Sequence, residues 1–503
     1  MKKNIVFSLF LLILGTACDS KPKVDLLEKG IPLKMAEFRK QQVSNVVYTL
    51  SFDIPSEKEE PIPSRLQLDV EINDLSQPLY LDFNAEASLL KTIQVNGEEQ
   101  EVNHQREHII ITENLQKGPN TIDISFNAGE QSLNRNEDYL YTLLVPDRAS
   151  TLFPCFDQPN IKAHYVLDVT APKEWEVLCG APVENTSNKD GKTHYRFGES
   201  DPMSTYLFSM VAGKFESVTE NPGVFDMTLL YRETDSAKID YSIQTIFDLH
   251  QRSIDFLMNY TQYKFPFQKL DYAAIPGFQY GGMEHVGAIQ YRQSSIFLDE
   301  SATESRRMGS AKLIAHETSH MWFGDLVTMD WFNDVWMKEV FANFMADKII
   351  NPTFPDINHR LQFMNSHYRG AYGEDRTRGT NPIRQDLNNL KNAGSLYGGI
   401  IYNKAPIMMR QLEATIGEKA FRDGIREYIS TYAYENATWT DLVNILDKRT
   451  SKDLKKWSEV WVNQSGRPIL EEKIDYTNGK ITNFSISQHA EDGSDKLWPQ
   501  SFE

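Results

Sequence analysis

Between residues 40 and 235 the apolar positions recur every second residue. Leu66, Leu68, Val70 and Ile72 alternate with Gln67, Asp69 and Glu71, while Ile122, Ile124 and Phe126 alternate with Asp123 and Ser125. A period of two sends successive side chains to opposite faces of a strand, so this stretch predicts an antiparallel β domain with one solvated face. Asn96-Gly97 and Asp190-Gly191 predict tight hairpin turns within it. Near Ser236 the period changes. Ile239, Ile243, Ile246, Phe247, Ile254 and Leu257 return at helical spacing, and an α-rich region is expected over 236–466. Inside it, residues 334–350 predict a helix stopped by Asn351-Pro352, and 420–429 and 441–446 predict two more, the last opened by a capping pattern from Thr438 to Asp441. From 467 to 503 the pattern is β again, with a turn at Asn478-Gly479, although one hairpin buries no core by itself.

The N-terminus is built differently. Lys2-Lys3 precede an apolar run over 5–14, then Gly15-Thr16-Ala17-Cys18. The run is too short for a membrane-spanning helix and fits a secretory signal. Small residues ahead of a cysteine resemble a bacterial lipoprotein cleavage site. That resemblance implies a signal over 1–18, lipidation at Cys18, a tether and linker over 19–39, and an exported protein held at a bacterial cell-envelope membrane. Gly15 stands where Leu is commoner, so a plain signal peptide remains the alternative. The net charge of −18 excludes nucleic acid and acidic lipid surfaces as natural partners. Cys155 and Cys179 would remain after export; they read as small buried hydrophobes, with their pairing left open.

Chemistry concentrates in His316-Glu317-Thr318-Ser319-His320, followed by Glu339. Two histidines four apart lie on one helix face about one turn from each other, close enough to grip one metal ion. Neutral imidazoles suit zinc, a carboxylate from a second helix completes three ligands, and the fourth position stays open as in catalytic sites. Glu317 could take a proton from a metal-bound water. Such a motif alone is weak, because helix surfaces carry His and Glu by chance. Its flanks, Ala311-Lys312-Leu313-Ile314-Ala315 and Met321-Trp322-Phe323, place it in a buried helix, where bare histidines need partners.

Four further segments carry a family resemblance. These are residues 152–159 (Leu-Phe-Pro-Cys-Phe-Asp-Gln-Pro), Gly281-Gly282-Met283-Glu284-His285, residues 320–328 (His-Met-Trp-Phe-Gly-Asp-Leu-Val-Thr) and Tyr402-Asn403-Lys404. In this order they resemble the aminopeptidase N family of gluzincin metallopeptidases over nearly the whole mature chain. The resemblance implies a multidomain α+β protein: a saddle-shaped antiparallel β domain over 40–235, a thermolysin-like, mainly α catalytic domain over 236–466, and the start of a β-sandwich over 467–503. Related proteins commonly continue further, so the chain is expected to be cut short in its third domain, with a missing C-terminal domain as a partner.

The resemblance also implies roles. His316, His320 and Glu339 would hold one zinc ion per chain, Glu317 would be general base, and Tyr402 would donate to the developing oxyanion. Glu284 would bind the free α-ammonium of a peptide, with Gly281, Gly282 and Met283 completing the anchoring segment and the two glycines open to strand addition. Several positions depart from the pattern: His285 for Asn, Asp325 for Asn, Lys338-Glu339-Val340 for Asn-Glu-Gly, and Val145 where a second amine-binding Glu or Gln is usual. The expected activity is a zinc aminopeptidase acting on peptides with a free N-terminus. A zinc endopeptidase of the same fold, or an inactive peptide-binding lipoprotein, are the alternatives.

Overall fold

A computed structural model describes residues 26–223 and 225–500, so Cys18 and the signal segment lie outside the described residues. The N-terminal β unit is built on an eight-stranded sheet, in the order Val183–Lys189, Lys192–Phe197, His164–Pro172, Val43–Asp53, Pro63–Ile72, Gly118–Asn127, Leu90–Val95 and Glu98–Gln100. Its pairings are antiparallel except that between Val43–Asp53 and His164–Pro172. The inward row of Pro63–Ile72 is Leu66, Leu68, Val70 and Ile72, all buried as the alternation demands. Both predicted hairpins form, with positive φ at Asn96 and Gly97 and at Asp190 and Gly191.

A mainly helical region follows, opening on the 26-residue helix Ser236–Thr261. Glu304–His320, Trp336–Ile350, Glu418–Thr431 and Trp439–Asp447 come after it, the last with the Thr438/Asp441 capping box in place. The β-rich unit, helical region and terminal strands thus succeed one another as expected from the sequence. One hydrophobic core runs through the first two, from Leu50 and Phe156 to Ile275, Ile314 and Phe341. Among the described residues, no helix is long and apolar enough to cross a membrane, and Cys155 and Cys179 are both free and buried.

Two expected boundaries differ from the structure. The tether and linker expected to run to residue 39 overlaps the helix Leu33–Gln42, which is part of the folded unit. Arg39 on that helix is fully buried. Its Nη1 donates to both carboxylate oxygens of Asp82 at 2.8 Å, its Nε donates to Gln158 Oε1 at 2.8 Å, and Asp82 Oδ1 meets His108 Nδ1 at 2.8 Å. Local spacing does not reveal this helix as part of the fold, because the charge partner of Arg39 lies 43 residues further on. The boundary expected at 235/236 also falls inside a sheet. Glu216–Glu220 and Met227–Tyr231 join Asp271–Ile275, Ala288–Arg292 and Gly282–Met283 in a five-stranded sheet of the catalytic region. Alternation marks a strand but not the sheet it enters.

At the end of the chain, Pro468–Thr477 and Lys480–Ala490 form a two-stranded hairpin around Asn478-Gly479. Tyr476, Ile481 and Phe484 stand exposed on it, while Trp498 returns to pack beside Trp461.

The core of the catalytic region carries an acid sensitivity of its own. His250 is buried, stacked on Tyr272, with Nδ1 on Ile246 O at 2.8 Å and Nε2 on Tyr291 Oη at 2.9 Å. Burial pushes its pKa from 6.5 down to about 3, against the pull of the Ile246 carbonyl. The folded state keeps the ring neutral where the unfolded chain would protonate it. This contribution to stability is complete above pH 6.5 and is lost as pH falls toward about 3. Denaturant melts should therefore show lower stability at pH 4.5 than at pH 7, by about 2–3 kcal/mol from this group. His250→Gln should flatten the slope by about one proton; an unchanged slope would assign the acid sensitivity elsewhere.

Candidate active site

The Glu304–His320 helix starts on a Thr303 cap and packs between the Ser236–Thr261 and Trp336–Ile350 helices. Its buried Ala311, Ile314 and Ala315 hold it there, which turns its last turn toward the first turn of Trp336–Ile350. His316 Nε2 and His320 Nε2 come to 3.1 Å, and Glu339 Oε2 lies 3.7 Å from His316 Nε2. Ligands about 2.0–2.2 Å from one tetrahedral ion are themselves about 3.3 Å apart, so these donors fit zinc. The other ring nitrogens are also engaged: His316 Nδ1 faces Asn343 Oδ1 at 3.2 Å, and His320 Nδ1 faces Phe323 O at 3.0 Å. Partners on Nδ1 leave the Nε2 lone pairs to converge on a metal. Burial, with His320 beside it, pushes the His316 pKa down to about 4, so its lone pair is free near neutrality. Asp334, just ahead of the Trp336–Ile350 helix, pairs with Arg384 and accepts from Trp439 N.

Glu317 is buried on the same turn. Burial, reinforced by the charges of Glu284 and Glu339, pushes its carboxyl well above the usual carboxylate range. It lies hard against Gly282, where an added Cβ would run into the carboxylate. Glycine is needed there for that close approach. Gly282–Met283 is the edge strand of the five-stranded sheet, bonded on one side to Ala288–Arg292. Gly281 leads into it, with its carbonyl accepting from Arg292 N at 2.9 Å.

Glu284 follows at once and is almost wholly buried. Burial disfavours its charge, but Lys338 holds its carboxyl well below the usual range. The Lys338 ammonium bridges Glu284 Oε1 and Glu339 Oε1, the latter at 2.8 Å. His285 is buried with Nδ1 3.3 Å from Leu207 O. Asp325 is buried with neither carboxylate oxygen hydrogen-bonded among the described residues, and burial pushes its carboxyl up.

Tyr402 sits in the π-helical turn Ile400–Lys404, and 42% of it is exposed toward the site. Burial of the remainder raises its pKa, so the phenol keeps its proton near neutrality. Lys404 anchors that turn through Asp375 at 2.9 Å and Gly466 O at 2.9 Å. A cavity of about 360 Å³ is lined by His316, Glu317, His320, Glu339, Glu284, Gly282, Met283 and Tyr402.

The same cavity is lined by residues to which sequence reasoning gave no role: Lys338, Tyr397, Tyr280, Val145 and Arg148. Lys338 did leave a signal, since Trp336, Met337, Val340 and Phe341 around it are apolar and buried, and a cation in such company must be paired. Tyr397 and Arg148 left none, because only folding brings them here. The 152–159 segment supplies scaffold rather than chemistry. Asp157 accepts from Ser150 N and Thr205 Oγ1, Asn160 beyond it donates to Asp330, and Lys162 donates to the Asp325 and Leu326 carbonyls at 2.8 and 2.9 Å. It clamps the β unit onto the loop that follows His320.

Residues 78–207 match the model of the peptidase M1 N-terminal domain, and residues 245–461 match the peptidase family M1 domain. The probable aminopeptidase 2 of Sulfurisphaera tokodaii is 33% identical over 322 residues, which are 64% of this chain and 41% of that protein. The leucyl aminopeptidase of Saccharolobus solfataricus is 31% identical over 322 residues, covering 64% of this chain and 40% of its own. The aminopeptidase N of Streptomyces lividans is 32% identical over 362 residues, covering 71% of this chain and 41% of its own. The matched stretch amounts to less than half the length of each of these relatives. With both domain models matched in sequence order, this chain belongs to the M1 family of peptidases.

Proposed function

We propose that the chain is a zinc-dependent peptidase that hydrolyses peptide bonds near the N-terminal end of peptides, in the manner the names of its relatives describe. The observation that carries this is the convergence of His316, His320, Glu339, Glu317 and Tyr402 on one cavity beside an open strand edge. His316, His320 and Glu339 would hold one zinc ion. Zinc bound there would lower the pKa of a coordinated water to about 7 and polarise the scissile carbonyl.

The remaining work falls to side chains and backbone. The free edge of Gly282–Met283 can pair with an extended substrate, and its glycine lets the substrate backbone come close. Glu317, shielded from solvent, accepts the proton of the attacking water and returns it to the leaving amine. Tyr402 donates its phenolic hydrogen to the oxygen on which negative charge develops. Tyr402→Phe should therefore lower kcat by about 10²-fold with little change in KM. A rise in KM at constant kcat would reduce Tyr402 to a binding contact.

The direct test is hydrolysis of a set of free-amine and N-acetylated peptides near their N-terminal ends by zinc-loaded protein, its loss on chelation and its return on adding zinc. No turnover by protein that binds one zinc per chain would sink the proposal. We also infer export and lipid attachment at Cys18. Cys18→Ala should abolish incorporation of labelled fatty acid in a bacterial host; labelling that persists would exclude the anchor.

A further inference from the structure

Once His316, His320 and Glu339 are assigned to a metal and Glu317 to proton transfer, Glu284 is, among the described residues, the one carboxylate left lining the cavity to meet a substrate cation. It already has a cation. Lys338 Nζ bridges Glu284 Oε1 and Glu339 Oε1, and the Lys338 and Glu284 side chains are 5% and 4% exposed. The contact is held from both ends. The Lys338 stem runs past Gly324, where an added Cβ would come within 3.3 Å of the Lys338 Cβ, and its ammonium lies over the Tyr206 ring, 5.9 Å from the centroid. Val145 adds an apolar side chain to the cavity lining, and another cation, Arg148, lines it as well. A substrate ammonium entering here would meet two positive charges and a carboxylate that is already neutralised.

We propose that Lys338 is a built-in occupant of the amine subsite, so that the cleft takes peptides presenting a neutral amide nitrogen to Glu284, from an acylated N-terminus or an internal segment, in place of a free α-ammonium. The inference rests on the peptidase reading above and deepens it by naming the substrate class. The physical device is a repulsive element against one class of ligand, placed where attraction would otherwise select for it. Lys338 acts by positioning and by charge. It takes no part in bond cleavage.

The test separates this inference from the peptidase reading by measuring binding as well as turnover. Zinc-loaded Glu317→Gln protein, which should bind without cutting, is titrated calorimetrically with a tetrapeptide and with its N-acetylated twin. The N-acetylated peptide should bind at least about tenfold more tightly. In the Glu317→Gln/Lys338→Asn double variant, where Glu284 is freed, the preference should reverse. With Glu317 intact, kcat/KM should favour the N-acetylated peptide in the parent and the free-amine peptide in Lys338→Asn. Lys338→Met, which keeps the stem beside Gly324, guards against a failure of Lys338→Asn to fold. Equal or tighter binding of the free-amine peptide by the parent, unchanged in both substituted forms, would overturn the inference. If neither peptide is cut but the binding preference reverses on substitution, the inference stands and the peptidase reading fails. Among cleaved N-acetylated peptides, product masses distinguish loss of the acylated terminal residue from cleavage at internal bonds.

Discussion

Glu317→Gln should abolish peptide hydrolysis by about 10²–10⁴-fold while leaving one zinc bound per chain. Glu317 is the buried carboxyl that faces both the ligand cluster and the Gly282 edge, and glutamine preserves its shape while removing its ability to accept a proton. The substitution also separates chemistry from folding. Burial penalises charge at this position and raises the Glu317 pKa, so a neutral amide of the same shape should cost little stability. Thermal melting close to that of the parent, with metal content unchanged and turnover lost, is the expected combination. Residual activity above about a tenth of the parent would remove Glu317 from proton transfer. Loss of zinc together with activity would move it among the ligands, since its carboxylate lies within 4.8 Å of both histidine donor atoms.

The second large effect lies far from the chemistry. Arg39→Ala should destabilise the protein by about 3–5 kcal/mol, because it strands the buried Asp82 carboxylate without its main counter-charge. Burial works to raise the Asp82 pKa, and Arg39 and His108 together hold it below its usual value. Asp82 also accepts from Asp157 N at 2.8 Å, and Arg39 reaches Gln158, so the damage should spread to the segment that clamps the β unit to the catalytic region. Chemical denaturation of Arg39→Ala, Arg39→Met, Asp82→Asn and the Arg39→Met/Asp82→Asn pair would measure this. The double variant should recover part of the loss, since removing both charges spares the cost of burying one alone. Strictly additive losses would show that the two side chains act independently.

Much of this protein was legible from local spacing. His316 and His320 share a helix face because four residues make about one turn, and the alternation in residues 66–72 settles which side of a strand is buried. Asn96-Gly97 and Asn478-Gly479 encode their turns through a backbone conformation that few residues accept. Each of these rests on interactions between residues a few positions apart, which is why a sequence displays them. The helix at Leu33–Gln42 was missed for the opposite reason, as its polar residues find their partners in Asp82 and Gln158. Likewise, the strands at Glu216–Glu220 and Met227–Tyr231 were recognisable as β, but their membership in the catalytic sheet depends on hydrogen bonds to Asp271–Ile275.

The sequence by itself therefore determined most of the elements, their order and the core of the site's chemical inventory: two histidines and a glutamate at the spacing of a metal site, with Glu284 and Tyr402 marked only by a family resemblance. Only the tertiary structure decided how that inventory is wired. Lys338 and Glu284 are 54 residues apart, and nothing local to either specifies that they meet. The Glu304–His320 helix packs against both the Gly282–Met283 edge and the Trp336–Ile350 helix, and that assembly puts an ammonium on a buried carboxylate, where little water remains to screen either charge. Periodicity is a short-range property of the chain, whereas charge pairing in a low-dielectric interior is a property of the assembled fold.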